Sequence, residues 1–186
     1  AEERNRFLAM IEDDSGRLER LVQRLLELAR ADMSTRGDER CRLEATLHPI
    51  VARFAARGLL IDIAIPADAE VAIGADTLDA VIGTLLDNSR QHAGPQARVQ
   101  LQVKIDTAAV IDLVDDGGGI SPANALRIFE PFFTTARQRG STGLGLSIVR
   151  SLLSAHGGDI ALLPSTSGAH FRIRLPLAPV PPLPTR

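Results

Sequence analysis

The sequence predicts an α+β fold: a two-layer α/β sandwich in which a mixed, mostly antiparallel sheet is covered on one face by about three helices, with one long helix in front. Three observations predict it. Val99, Leu101, Val103 and Ile105 alternate with polar residues and lead through Asp106-Thr107 into an apolar stretch, Ala109 to Val114, which is the pattern of two strands joined by a tight turn. Ile160 to Leu163 and His170 to Leu175 predict a second hairpin that closes the sheet. Helical spacing recurs from Leu43 to Ala56, from Asp76 to His92 and from Leu144 to His156, and these three segments supply the covering layer.

Taken in order, residues 1–33 contain no proline and one glycine, and Phe7, Ile11, Leu18, Leu21, Leu25 and Leu28 recur in steps of three and four around Asp14. That is a helix with an apolar seam. Residues 34–42 are polar and charged, and read as a linker. The globular domain is expected over 43–176. Leu59 to Ile65, stopped by Pro66, reads as a buried strand, and a second strand is expected near Glu70 to Ile73. Asp76 can cap the next helix, whose inner face is Leu78, Val81, Ile82, Leu85 and Ser89. Residues 117–142 lack periodicity and make a long loop, which inside a compact domain is usually functional. Gly157-Gly158 ends the last helix. The tail from Pro176 holds five prolines in eleven residues, so 177–186 is expected to be extended and disordered.

A net charge of −2 and a pI near 6.1, with basic residues scattered along the chain, give no electrostatic footprint for nucleic acid. The single Cys41 excludes an internal disulfide and a CxxC metal site, which predicts a reducing, cytoplasmic setting. No apolar run approaches the roughly eighteen residues of a membrane span, and Ala1-Glu2-Glu3-Arg4 is not a signal peptide. The missing initiator Met suggests an excised piece whose full-length form could be anchored in the inner membrane by a segment upstream.

Four short motifs carry the chemistry. Leu85-Leu86-Asp87-Asn88-Ser89-Arg90-Gln91-His92 sets Asn88 and His92 one helical turn apart, so both side chains can face one ligand. Asp115-Asp116-Gly117-Gly118-Gly119-Ile120 ends a strand with a carboxylate and then frees the backbone to turn close to a flat ligand. Phe129-Glu130-Pro131-Phe132-Phe133 holds half of the aromatic residues. Gly140-Ser141-Thr142-Gly143-Leu144-Gly145-Leu146 runs into a helix whose N-terminal N–H groups form an anion site. Other nucleotide motifs fail: the third glycine of GxGxxG would fall on Pro122, and a P-loop needs a Lys where Leu146 stands. Singly, each motif also suits a polar helix face, an Asp-Gly turn, a pinned loop or a helix cap.

Together, in this order, they resemble the N, G1, F and G2 boxes of sensor histidine kinases, whose ATP-binding domain belongs to the gyrase, Hsp90, histidine kinase and MutL superfamily. The resemblance implies a Bergerat-type fold over 43–176 that binds ATP or ADP with Mg2+. It makes Asn88 the metal ligand and Asp115 the acceptor for the exocyclic amine of adenine. It adds His92, Gln91, Arg90, Gly117, Gly119, Ile120, Phe132, Arg137, Thr142, Gly143, Leu144, Gly145 and Leu146 to the ATP site, with Arg137 and Arg139 approaching the phosphates. Residues 1–33 then look like the second helix of a dimerisation hairpin, which implies a homodimeric full-length protein and a response regulator receiver domain as partner.

The implied activity is ATP:protein-histidine phosphotransfer. Position and charge neutralisation drive such a transfer, and no residue of the chain is assigned as a catalytic base. His48, His92, His156 and His170 all lie outside an acceptor context such as His-Glu, so the chain is not expected to phosphorylate itself. Two positions depart from the family pattern. Thr84 stands where Asn is usual, and where the ATP-hydrolysing branches carry a general base that a Thr hydroxyl cannot replace. Gln91 stands where Lys or Arg is frequent. These departures keep open a degenerate nucleotide- or partner-binding regulator, and the ATP fold alone is shared with serine kinases of the anti-sigma type.

Overall fold

The computed structural model describes residues 39–136 and 141–179, so the seamed helix expected over 1–33 lies outside the described residues. The last two residues of the segment expected as linker, Cys41 and Arg42, form a strand. Cys41–Arg42 (β1) pairs antiparallel with Glu70–Val71 (β3), and this joins two residues of the anticipated linker to the domain. Helix α1, Leu43–Ala55, follows at once and buries Leu43, Leu47, Ile50, Val51 and Phe54, a stripe at three- and four-residue spacing. Its first turn is capped from a distance. The backbone N–H of Glu44 donates to Asp68 Oδ1 at 3.0 Å, and Arg42 holds the other carboxylate oxygen.

Among the described residues the main sheet has five strands. Leu60–Ala64 (β2), Arg98–Ile105 (β4), Ala108–Asp115 (β5), Asp159–Leu163 (β6) and His170–Pro176 (β7) lie in the order β2-β4-β5-β7-β6. Only β2 and β4 are parallel, so the sheet is mixed and mostly antiparallel. The segment expected as a buried strand is instead the sheet edge: Leu60, Asp62 and Ala64 are exposed, while Ile61 and Ile63 turn toward the core. Its apolar run misled because Leu59, the most buried residue of the run, precedes the strand.

Helix α2, Ala75–Ala93, and helix α4, Gly145–Ala155, complete the layer with α1, and a short α3, Pro122–Ala125, lies inside the expected loop. Gly74, not Asp76, is the N-cap of α2; Asp76 sits in the first turn, where its charge complements the helix dipole. The inner face of α2 is as expected, with Leu78, Val81, Ile82, Leu85 and Ser89 all buried. These helices cover the sheet face made by Val99, Leu101, Val103, Ile111, Leu113, Phe171 and Ile173. Burying each such Leu, Ile or Phe contributes roughly 1.5–3 kcal/mol.

The opposite face is polar. Gln100, Gln102, Lys104, Arg172 and Arg174 are exposed there, and β5 is not continuously apolar, because Asp112 interrupts it on this face. Asp112 accepts from Arg172 Nε at 2.7 Å and Nη2 at 2.9 Å, and stands 3.0 Å from His170 Nε2. Past β7 the chain stays attached for longer than the tail reading allowed. Leu177 bridges to Val71, and Ala178 N donates to Glu70 O at 2.8 Å, so the fold reaches beyond residue 176; residues 180–186 lie outside the described residues.

Candidate nucleotide site

One cavity of about 240 Å³ opens between α2, α4 and the chain from Gly117 to Thr135, with β5 and β7 beneath it. Nine of the residues expected at the site line it: Asn88, His92, Asp115, Gly117, Gly119, Ile120, Gly143, Gly145 and Leu146. Helix periodicity brings Asn88 and His92 to the same wall from one turn apart.

Asp115 is the buried end of β5, only 7% exposed. Its Oδ1 accepts from the backbone N–H of Gly117 at 3.0 Å and of Ala169 at 2.9 Å, and its Oδ2 accepts from Ser89 Oγ at 3.1 Å. Three donors hold one carboxylate in one orientation beside the cavity. A buried charge is tolerated only with such partners.

Gly168 and Gly143 show most sharply how tight this geometry is. Gly168 has φ +67°, and a Cβ there would lie 1.7 Å from the Asp115 carbonyl oxygen. Gly143 has φ +72°, and its Cβ would lie 2.5 Å from the Phe132 carbonyl carbon. The turn before α4 therefore packs backbone to backbone against the aromatic segment. Phe132 itself has φ +65°, the left-handed conformation that bulky side chains avoid. Arg127 stacks over the Phe133 ring at 4.4 Å, and Arg150 of α4 over Phe129 at 5.4 Å.

Other expected residues stand elsewhere. Phe132 is 55% exposed, and Phe133 lines the cavity in its stead. Leu144 is buried in the core, and neither Thr142 nor Gln91 lines the cavity. Arg90 lies off the cavity, exposed and paired with Asp87 at 3.3 Å. Arg137, with Arg139, lies outside the described residues. Thr84 Oγ donates to Ala80 O at 2.8 Å, so its hydroxyl serves its own helix.

Sequence reasoning missed Ser89, Gly168 and Ala169, which fix Asp115, and Asn124, Thr134, Thr135 and Phe171 on the walls. Gly168 offered a signal, as the only glycine between the last two strands. Ala169 and Phe171 offered none, because the β5–β7 pairing that brings them under the cavity is long-range.

Among the described residues no group of three or more His, Cys, Asp or Glu could hold a metal, and no helix is long and apolar enough to cross a membrane. A hard cation that relies on a phosphate ligand for most of its coordination needs only one or two protein oxygens, and the Asn88 carboxamide on the cavity wall can supply one.

The family profile described as "Histidine kinase-, DNA gyrase B-, and HSP90-like ATPase" matches residues 74–179, more than half of the chain. The chain is 32% identical over 184 residues to the sensor protein CzcS of Cupriavidus metallidurans, covering 92% of this chain and 39% of that protein. It is 34% identical over 180 residues to the probable sensor histidine kinase TcrY of Mycobacterium tuberculosis, covering 91% of this chain and 38% of that one. The chain thus spans about two fifths of the length of these curated relatives. The structure of the mycobacterial sensor histidine kinase MprB superposes with a TM-score of 0.68 at 26% identity, over 76% of this chain and 100% of that one.

Proposed function

The chain belongs to the histidine kinase-, DNA gyrase B- and HSP90-like ATPase family and carries the ATP-binding domain of a sensor histidine kinase, and from that premise we propose how it acts. The cavity takes Mg-ATP, and the γ-phosphate passes to a histidine on a dimerisation hairpin of the same or a partner subunit, for onward transfer to a response regulator. The observation that carries this reading is the anchored Asp115 carboxylate in the wall of a cavity that the glycine turn into α4 also lines.

Each residue then has a task. Asp115 accepts from the 6-amino group of adenine, and Gly117 and Gly119 let the backbone beside the base pack closely on Ala93 and on the Gly168 carbonyl. The N-terminal N–H groups of α4 and the side-chain-free Gly143 and Gly145 receive phosphate oxygens. Asn88 would hold Mg2+ through its carboxamide oxygen, and the ion would supply neutralisation of phosphate charge. The domain aligns and neutralises; the attacking nitrogen belongs to the acceptor. Thr84 supports transfer over hydrolysis, since its hydroxyl is engaged within α2 and cannot activate water.

The test is label transfer from γ-labelled ATP. The chain alone should retain no label, yet should label a separately supplied hairpin bearing the acceptor His, slowly, because tethering at about millimolar effective concentration is lost. Asp115→Asn should weaken ATP roughly ten- to a hundred-fold, the loss of one charge-assisted hydrogen bond. If ATP binds but a competent hairpin stays unlabelled at high protein concentration, the regulatory reading replaces the kinase one.

A further inference from the structure

We propose that Ser89 is a positioning residue for base selection: its hydroxyl orients the Asp115 carboxylate so that a single acceptor direction remains for a 6-amino purine. The proposal rests on the reading of the cavity as a nucleotide site. It goes beyond that reading in assigning specificity to a residue that does not itself line the cavity.

A carboxylate offers about four acceptor directions, two on each oxygen. Both directions of Oδ1 are taken, by the N–H groups of Gly117 and Ala169. One direction of Oδ2 is taken by Ser89. What is left on Oδ2 can accept one further hydrogen bond, which the 6-amino group of adenine can donate. A 6-oxo purine would bring lone pairs against the carboxylate, and a purine with hydrogen at position 6 would bring no donor.

Ser89 has one proton and two candidate acceptors, Asp115 Oδ2 at 3.1 Å and Leu85 O, one turn back on α2, at 3.3 Å. The carboxylate is nearer and is the stronger acceptor, because it carries charge, whereas the Leu85 carbonyl sits in the regular helical ladder. Ser89 is 1% exposed, so water cannot replace its hydroxyl without a cavity opening. Gly168 reinforces the arrangement by letting the β6–β7 turn press against the Asp115 backbone.

The competing account is that Ser89 merely back-bonds to its own helix, as buried Ser residues often do. Affinities of the unmodified chain, Ser89→Ala and Ser89→Thr for ATP and for purine riboside triphosphate, which lacks only the 6-amino group, separate the two. Positioning predicts that Ser89→Ala weakens ATP by about three- to ten-fold with little change for purine riboside triphosphate, so the preference between them narrows. Ser89→Thr, which restores the hydroxyl, should recover the preference. An unchanged preference in Ser89→Ala, or parallel loss of both nucleotides, overturns the proposal in favour of a helix-packing role. If the unmodified chain binds no ATP at all, the nucleotide reading fails before any substitution is made, and this proposal with it.

Discussion

Gly168→Ala should damage stability and the nucleotide site together, although residue 168 belongs to none of the four motifs. The Cβ it adds would lie 1.7 Å from the Asp115 carbonyl oxygen and 2.6 Å from Asp115 Oδ1, so the turn must retreat by more than an ångström. Keeping φ at +67° costs alanine about 1–2 kcal/mol. The retreat also stretches two bonds that join the end of β5 to the turn before β7, Asp115 N to Ala169 O at 3.0 Å and Ala169 N to Asp115 Oδ1 at 2.9 Å. At a net 0.5–1.5 kcal/mol each, they add about 1–3 kcal/mol, for a total of roughly 2–5 kcal/mol. A domain of this kind has about 5–15 kcal/mol to lose, so the variant should fold but unfold at clearly lower urea. Its ATP affinity should fall as well, because Asp115 loses a donor that orients it. A urea midpoint equivalent to wild type within about 0.5 kcal/mol, with unchanged ATP binding, refutes the claim that the turn braces Asp115.

Metal dependence should concentrate on Asn88: EDTA should weaken ATP binding by the unmodified chain, and Asn88→Ala should bind ATP weakly and indifferently to EDTA, as titration calorimetry would show. Acid stability should depend on Asp112. Burial pushes this carboxyl up, but the hydrogen bonds and charges of Arg172 and His170 outweigh burial and hold it below the usual carboxylate range. A carboxyl lowered by folding adds stability that is fully present above its unfolded pKa, about 3.9, and is lost as pH falls through the lower folded value. Urea unfolding across pH 2–6 should therefore show an acid limb that Asp112→Asn flattens. An unaltered limb would mean that other carboxylates dominate it.

Local patterns were legible because their causes are local. The two hairpins, the three helices and the buried face of α2 follow from periodicity of two or of about three and a half, and the structure has them where the spacing said. The errors sit where a residue's environment is set by distant chain. Leu60 reads as core in the run Leu59 to Ile65 but lies on an edge strand, because nothing in that run says which neighbour is missing. Asp112 breaks an apolar strand without harm only because Arg172 and His170 arrive beside it from β7. Arg42 reads as linker until Asp68, from the loop before β3, bonds it.

The candidate site divides along the same line. The cavity wall from α2 and the glycine turn into α4 are each contiguous in sequence, and Asn88, His92, Gly143 and Gly145 stand out there without any tertiary knowledge. The part proposed to recognise the base is not contiguous: Asp115 announces itself as a strand-end carboxylate, but groups that hold it in place come from 26 residues upstream and 54 residues downstream. That asymmetry has a physical consequence. An anion can be received by backbone N–H groups of one helix start, whereas discriminating one purine from another requires a carboxylate held by several elements at once. Selectivity in this domain should therefore be sensitive to packing far from the four motifs, at β7 and its turn, while phosphate contacts should respond mainly to changes within the motifs themselves.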